Sequence, residues 1–360
     1  MTIEVEPRIF ACPNCGGKNR LNPLKIASKL DKVRCGSCGT SLFLGPHDPL
    51  LEISSTAYEH HLDRRALEML RRVPGVNSIL RFILRELSER RLRMLFLQTA
   101  VKVHDKHLTK LHDMNVRACT LLDMELMPEL YVMHDPMPNA MAIGVDDPFV
   151  VLTSGLLDQM DEDQIRGVIG HELGHIHAGH QLYRTALYLL INLADRLLGS
   201  IIPMREAAMF AIVQALQYWS RCSELTADRA QMLVQRNFDR FVHCEMRLAG
   251  GSRFTNPDLD AEQFLLQAQE ATRVQEENFL NKIYAGMQAS NASHPFPVWR
   301  AGHMLTWVGE GSYLDILSGN FARKNQEPAP PVLDEEDLEG KESLSPVRKM
   351  LDELRGVLGR

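Results

Sequence analysis

Four histidines and a glutamate fall within VIGHELGHIHAGH, Val168 to His180. That density of titratable side chains points to metal or acid–base chemistry, and the spacing narrows it. At 3.6 residues per turn a helix places His171 and His175 on one face, one turn apart, with Glu172 about 100° around the axis. Two neutral imidazoles can then share a metal while the glutamate reaches the attacking water, the H-E-x-x-H arrangement of zinc hydrolases. So short a motif also arises by chance, and context has to decide. A catalytic zinc takes three protein ligands and keeps one position open. The H-E-x-x-H-x-x-G-x-x-H solution fails, because Ala178 and Gln181 stand where it needs Gly and His. The other solution takes a glutamate from a later helix. SRCSELTADRAQML, Ser220 to Leu233, offers Glu224, with Asp228 one turn below it to accept the spare N–H of a ligand histidine and fix its tautomer. His177 and His180 receive no ligand role and read as surface or helix-end histidines, where a cation near a helix C-terminus is mildly favourable.

A second metal signal lies at the head of the chain. Cys12-Pro-Asn-Cys15 and Cys35-Gly-Ser-Cys38 are two C-x-x-C pairs at the spacing of a four-thiolate structural zinc site. A redox dithiol would want one such pair beside a βαβ pattern, which neither has. The remaining cysteines, Cys119, Cys222 and Cys244, are scattered, which is the arithmetic of a reducing compartment rather than a disulfide scaffold.

The elements that must position these groups are legible in outline. Asp161 and Gln164 form a capping box, and Met160 can staple to Ile165, so the helix carrying His171 starts at Asp161. Before it, ELYVMHD, NAMAIG and PFVVLTS are short β-rich runs separated by turn residues and predict a small sheet. From about Thr56 to Asp113 apolar residues recur three and four apart, predicting helices with one buried face; the Arg-rich stretch Glu86 to Arg93 reads as a solvated helix face, and His104, His107 and His112 as surface groups. Leu182 to Trp219 is apolar but interrupted by Asp195, Arg196, Arg205 and Glu206, so no window reaches the ~20 uncharged residues of a membrane span. A helical hairpin packed on the core is expected there, with peripheral contact at a membrane surface as its alternative. The fold class is therefore mainly α with a small β-sheet (α+β).

Composition bounds the rest. The 360 residues are 45% hydrophobic, 24% charged and 6% aromatic, an ordinary globular balance that can support a large domain and a smaller one. The net charge of -6 argues against nucleic acid as the main ligand. MTIEVEPRIF has no apolar segment of a secretory signal, which with the cysteine usage predicts a cytoplasmic protein. The expected division is a zinc ribbon over 1–45, a linker over 46–55, where LGPHDP breaks the chain, a catalytic domain over 56–322, an acidic Pro-rich linker over 323–345, and an amphipathic helix over 346–360. The last, too short to stand alone in water, is expected to dock on the domain or a partner and gate the cleft.

PELYV (Pro128–Val132), NAMA (Asn139–Ala142), VVLTSGLL (Val150–Leu157), HELGHIHAGH (His171–His180), ELTADR (Glu224–Arg229) and SHPFPVWR (Ser293–Arg300) occur in that order. Together they resemble the HtpX-type zinc metallopeptidases, the gluzincin family that includes the CAAX prenyl protease type I and its soluble bacterial relatives. The likeness covers about Thr56 to Phe321. It implies a gluzincin-type core, zinc on His171, His175 and Glu224, Glu172 as catalytic base, and Asp228 as the partner of a ligand histidine. It also implies His294 facing the developing oxyanion, Arg300 as an orienting charge, and a substrate peptide lying along Asn139, Ala140, Met141 and Ala142, the family's edge strand. CPNCGGKNR with CGSCGTSLF is similar to the zinc-binding head of the second bacterial thioredoxin, and nothing after it resembles thioredoxin. The expectation is thus a zinc endopeptidase with one catalytic and one structural Zn2+, acting on peptides or unfolded and damaged proteins and recruiting a protein partner through its ribbon. The competing reading is a zinc-bearing adaptor that binds peptides without cleaving them.

Overall fold

A computed structural model describes residues 5–72, 76, 80, 89–197, 203–277 and 296–324. The expectations placed on His294, on residues 325–345 and on the helix over 346–360 lie outside them. The described residues are 57% helical with small sheets, the α+β class expected.

In chain order the elements are β1 (Arg8–Ala11), β2 (Lys18–Leu21), α1 (Pro23–Ile26), α2 (His61–Arg71), α3 (Glu89–Thr99), β3 (Val101–Lys102), α4 (Thr109–Leu121), β4 (Glu129–Met133), β5 (Ala140–Ile143), β6 (Phe149–Thr153), α5 (Ser154–Gln159), α6 (Glu162–His177), α7 (Gln181–Leu197), α8 (Pro203–Gln235), α9 (Phe238–Gly250), α10 (Ala261–Glu277), α11 (Pro297–Gly309) and α12 (Ser312–Leu317). The three β-rich runs form a sheet with a fourth strand, in the order β3-β4-β6-β5. β6 runs parallel to β4, with Glu129 opposite Phe149, and antiparallel to β5, with Ala140 opposite Leu152. All five β6 residues are buried, as a strand flanked on both sides and covered on both faces demands. β5 is one of the two outer strands and packs against α6. The turn between β5 and β6 needs Gly144, whose φ of 110° is closed to side chains and whose Cβ would lie 2.9 Å from Pro148 Cα.

β3 interrupts the stretch read as helical from Thr56 to Asp113. Val101 pairs with Val132 and Lys102 with Tyr131. Two residues are too few to show a period of two, so only the neighbouring strand reveals them. α8 also differs from the outline: the second arm of the expected hairpin and the helix bearing Glu224 are one helix of 33 residues.

The most extensive helix pairing among the described residues is α6 on α8. Three glycines on one face of α6 make it possible. A Cβ at Gly174 would stand 2.5 Å from Ala230 Cβ, one at Gly170 2.8 Å from Val234 Cβ, and one at Gly167 2.3 Å from Gln235 Nε2. Each is closer than real carbon atoms approach, so the two backbones meet only because these side chains are missing.

The head is docked rather than tethered. Phe10, Ile26, Leu42 and Phe43 belong to the same buried core as Trp307, Tyr313 and Leu314. Leu44 donates its N–H to Leu317 O at 2.7 Å, and Asn237 Nδ2 donates to Ser28 O at 3.2 Å. Within the stretch 46–55, expected to be a linker, Leu50 and Ile53 are fully buried, and Ser54 N–H pairs with Ala322 O at 3.0 Å. Gly45, Pro46 and Pro49 mark a turn, and burial of Leu50 and Ile53 anchors the stretch to the core.

Candidate metal centre

α6 begins where its cap predicts: Asp161 accepts from Gln164 N–H, and the Gln164 side chain accepts from Asp161 N–H. Two turns further on, His171 and His175 face α8, which presents Glu224 and Asp228. Glu224 Oε2 lies 3.3 Å from His171 Nε2 and Glu224 Oε1 3.2 Å from His175 Nε2. The three donor atoms all lie within 4.8 Å of one another, and all three residues are buried. Glu172, fully buried, follows His171 on the same helix.

The far nitrogens of the two imidazoles are engaged. His171 Nδ1 lies 3.0 Å from Asp228 Oδ1. Asp228 is gripped by Arg300, whose Nε donates to Oδ2 at 2.8 Å and whose Nη2 donates to Oδ1. The same Nη2 donates to Glu245 Oε1 at 3.3 Å, and Arg300 Nη1 stands 4.0 Å from Glu224 Oε2. Burial alone would raise the Asp228 carboxyl, yet the Arg300 charge and the hydrogen bonds from Arg300 and His171 hold it below its ordinary range. Asp228 therefore accepts from His171 Nδ1–H, which leaves the Nε2 lone pair pointing at Glu224.

Around His175 the structure corrects the sequence reading. His180 is not a surface histidine: it is 3% exposed, with Nδ1 3.0 Å from His175 Nδ1 and Nε2 3.0 Å from Asp63 Oδ2. The physical reason is how α6 ends. Gly179 takes a left-handed φ of 71°, His180 N–H reaches back to His175 O at 3.0 Å and Gly179 N–H to Ile176 O at 3.1 Å. That is the glycine C-cap in which the second residue beyond the helix folds over its last turn, and it carries His180 onto His175. His177 is likewise no helix-end cation: its Nδ1 lies 2.7 Å from Tyr58 Oη, and burial pushes its pKa down to about 4. Arg184, also missed, donates from Nη1 to Glu224 Oε1. The H-A-G-H spacing held the signal for His180; nothing in sequence pointed to Asp63, which comes from α2.

Arg300 is brought to this cluster, 2% exposed, by α11. Asn139 precedes β5, exchanging hydrogen bonds with Thr153, while Ala140 and Ala142 are buried and Met141 is half-buried. Ala140, Met141 and Ala142 therefore lie on an edge strand beside α6, with Asn139 at its start. At the head, Cys12 Sγ is 3.6 Å from Cys38 Sγ and Cys15 Sγ 3.7 Å from Cys35 Sγ, with all four within 4.8 Å. Sulfurs on a tetrahedron of ~2.3 Å zinc–sulfur bonds stand about 3.8 Å apart, so the cage fits zinc. Two imidazoles and a carboxylate fit it equally well at the buried centre.

Residues 105–308 match the model of peptidase family M48. The chain belongs to peptidase family M48. As a member it is a metallopeptidase, a hydrolase of peptide bonds, from a family that uses zinc. It is 30% identical over 275 residues to a plastoglobule-localized metallopeptidase 48 of Arabidopsis thaliana, covering 75% of this chain and 78% of that one. It is 34% identical over 122 residues to a protease HtpX homolog of Tropheryma whipplei, covering 31% of this chain and 41% of that one. A protease HtpX homolog of Dictyoglomus thermophilum is 43% identical over 68 residues, 18% of this chain and 22% of that one. The M48 chain thus spans less than half the length of these HtpX homologs. No solved structure matches it. Among its described residues no helix is long and apolar enough to cross a membrane.

Proposed function

We propose that this M48 member is a zinc-dependent endopeptidase in which His171, His175 and Glu224 hold the metal and Glu172 is the general base. The observation that carries the reading is the convergence of the three donor atoms within 4.8 Å, from two helices, in a buried site. Zinc held there would supply a Lewis acid that polarises the scissile carbonyl and acidifies the attacking water. Glu172 takes the proton of that water and passes it to the leaving amine. Asp228, oriented by Arg300, keeps His171 in its binding tautomer. His294, carried over from the family motif, donates to the oxygen that gains charge as the carbonyl becomes tetrahedral, a contribution of about 3 kcal/mol. The substrate backbone adds to β5 as a further strand along Asn139, Ala140, Met141 and Ala142, so its main chain supplies affinity and its side chains are tolerated broadly. Unfolded or damaged proteins in the cytoplasm, delivered by the docked ribbon over residues 1–45 with its own zinc on Cys12, Cys15, Cys35 and Cys38, suit that mode.

Glu172→Gln tests it. The variant should retain zinc and fold and lose casein hydrolysis by about 10²–10⁴-fold. Undiminished hydrolysis would show that Glu172 is not the base, and a zinc-loaded parent that binds casein without cutting it would favour the adaptor reading.

A further inference from the structure

The family pattern leaves Asp63 and His180 without a role, yet both are buried and lie in line with His175. Asp63 sits in α2 and is 1% exposed. Its Oδ1 accepts from Trp219 Nε1–H at 3.0 Å and its Oδ2 from the Thr226 hydroxyl at 2.6 Å, while Thr226 Oγ1 in turn accepts from His60 N–H at 3.0 Å. Indole N–H can only donate, so this carboxylate is an acceptor throughout, and the third group on it, His180 Nε2 at 3.0 Å, must donate as well. A neutral His180 with its proton on Nε2 has a lone pair on Nδ1. Among the described residues the partner of that lone pair is His175 Nδ1, at 3.0 Å, which must then carry hydrogen. The lone pair of His175 is then on Nε2, 3.2 Å from Glu224 Oε1. The opposite assignment, with hydrogen on His180 Nδ1, would put the His175 proton on Nε2 and close that atom to any cation.

We propose that Asp63 and His180 are positioning residues of the metal centre: the hydrogen-bonded line Asp63–His180–His175 selects the tautomer and ring orientation in which His175 binds zinc. The two ligand imidazoles are thus held by different devices, His171 by a carboxylate directly and His175 by a carboxylate acting through a second imidazole. The line also ties α2, through Trp219 and Thr226 of α8, to the end of α6, so three elements share in setting one ligand ring. The inference rests on His175 being a zinc ligand.

The test uses the full chain with one equivalent of zinc already on the four thiolates, titrated with a second equivalent against a competing chelator, with metal-free melting followed alongside. His180→Leu, of similar bulk and without nitrogen, should weaken the second zinc by about 10–100-fold. His180→Asn, whose amide oxygen can take the place of Nδ1 as acceptor, should recover most of that loss. A histidine that merely filled space would shift the melting temperature and leave the affinity at the parent value. Parent-like affinity in His180→Leu, or equal losses in the Leu and Asn variants, overturns the relay. Should His180→Leu fail to fold, Asp63→Asn decides: it places a donor among donors and must bind the second zinc more weakly than His180→Asn, and equal affinities overturn the proposal. Glu224→Ala separates this from the underlying reading, because a second zinc that still binds that variant refutes the ligand set rather than the relay.

Discussion

Glu245 shows what a single buried carboxyl does at this centre. Its Oε1 faces Arg300 Nη2 at 3.3 Å, while its buried Oε2 has no hydrogen-bond partner among the described residues. Burial raises its pKa, Arg300 opposes that, and the nearby Asp228 charge adds to it, so it stands at about 8 instead of 4.5. Arg300 is shared: its stronger contacts go to Asp228, and one guanidinium cannot neutralise two carboxylates at full strength. The folded state therefore keeps a proton that the unfolded chain releases. Stability from this group is complete below pH 4.5 and is lost as pH rises toward 8. Glu245→Gln removes the titration and keeps the shape. The variant should gain in melting temperature over the parent progressively from pH 4.5 to 8; a gap that stays constant across that range would refute the assignment.

At the scale of elements, the metal centre depends on how closely two helices approach. Gly174 lies one residue before His175, and its Cβ would meet Ala230 Cβ at 2.5 Å, two residues beyond Asp228. In an exposed helix Gly→Ala stabilises by ~1 kcal/mol. Here the sign reverses. Gly174→Ala must push α6 from α8, at a cost of about 1–3 kcal/mol for overpacking. It should also weaken metal binding, because His175 and Glu224 sit on opposite sides of that contact. Thermal melting and zinc competition on the same variant check both effects, and a more stable Gly174→Ala would mean the helices have room to spare.

The molecule as a whole shares one core between the ribbon and the peptidase. Phe10 and Phe43 pack edge to face at 5.6 Å and join the cluster that contains Tyr313 and Leu314, while Arg8 pairs with Asp315 at 3.2 Å. A four-thiolate metal then stabilises more than its own knuckles. Cys35→Ser, or chelation of a metal held by the four thiolates, should lower the melting temperature of the entire chain by several degrees in a single transition. A ribbon swinging on a linker would instead leave the peptidase transition at the parent temperature, and calorimetry distinguishes the two.

Sequence alone determined what is local or carried by residue type. Helical period placed His171 and His175 on one face, the capping box placed the start of α6, paired C-x-x-C motifs announced the cage, and three apolar runs announced strands. Each signal lies within a few turns of chain, where spacing and geometry are the same thing. Only tertiary structure decided which distant groups meet. Asp63 reaches His180 from 117 positions away in the chain, β3 exists because β4 lies beside it, and the stretch 46–55 is anchored because Leu50 and Ile53 find a surface to bury. Such contacts depend on the approach of elements far apart along the chain, and no periodicity records that distance.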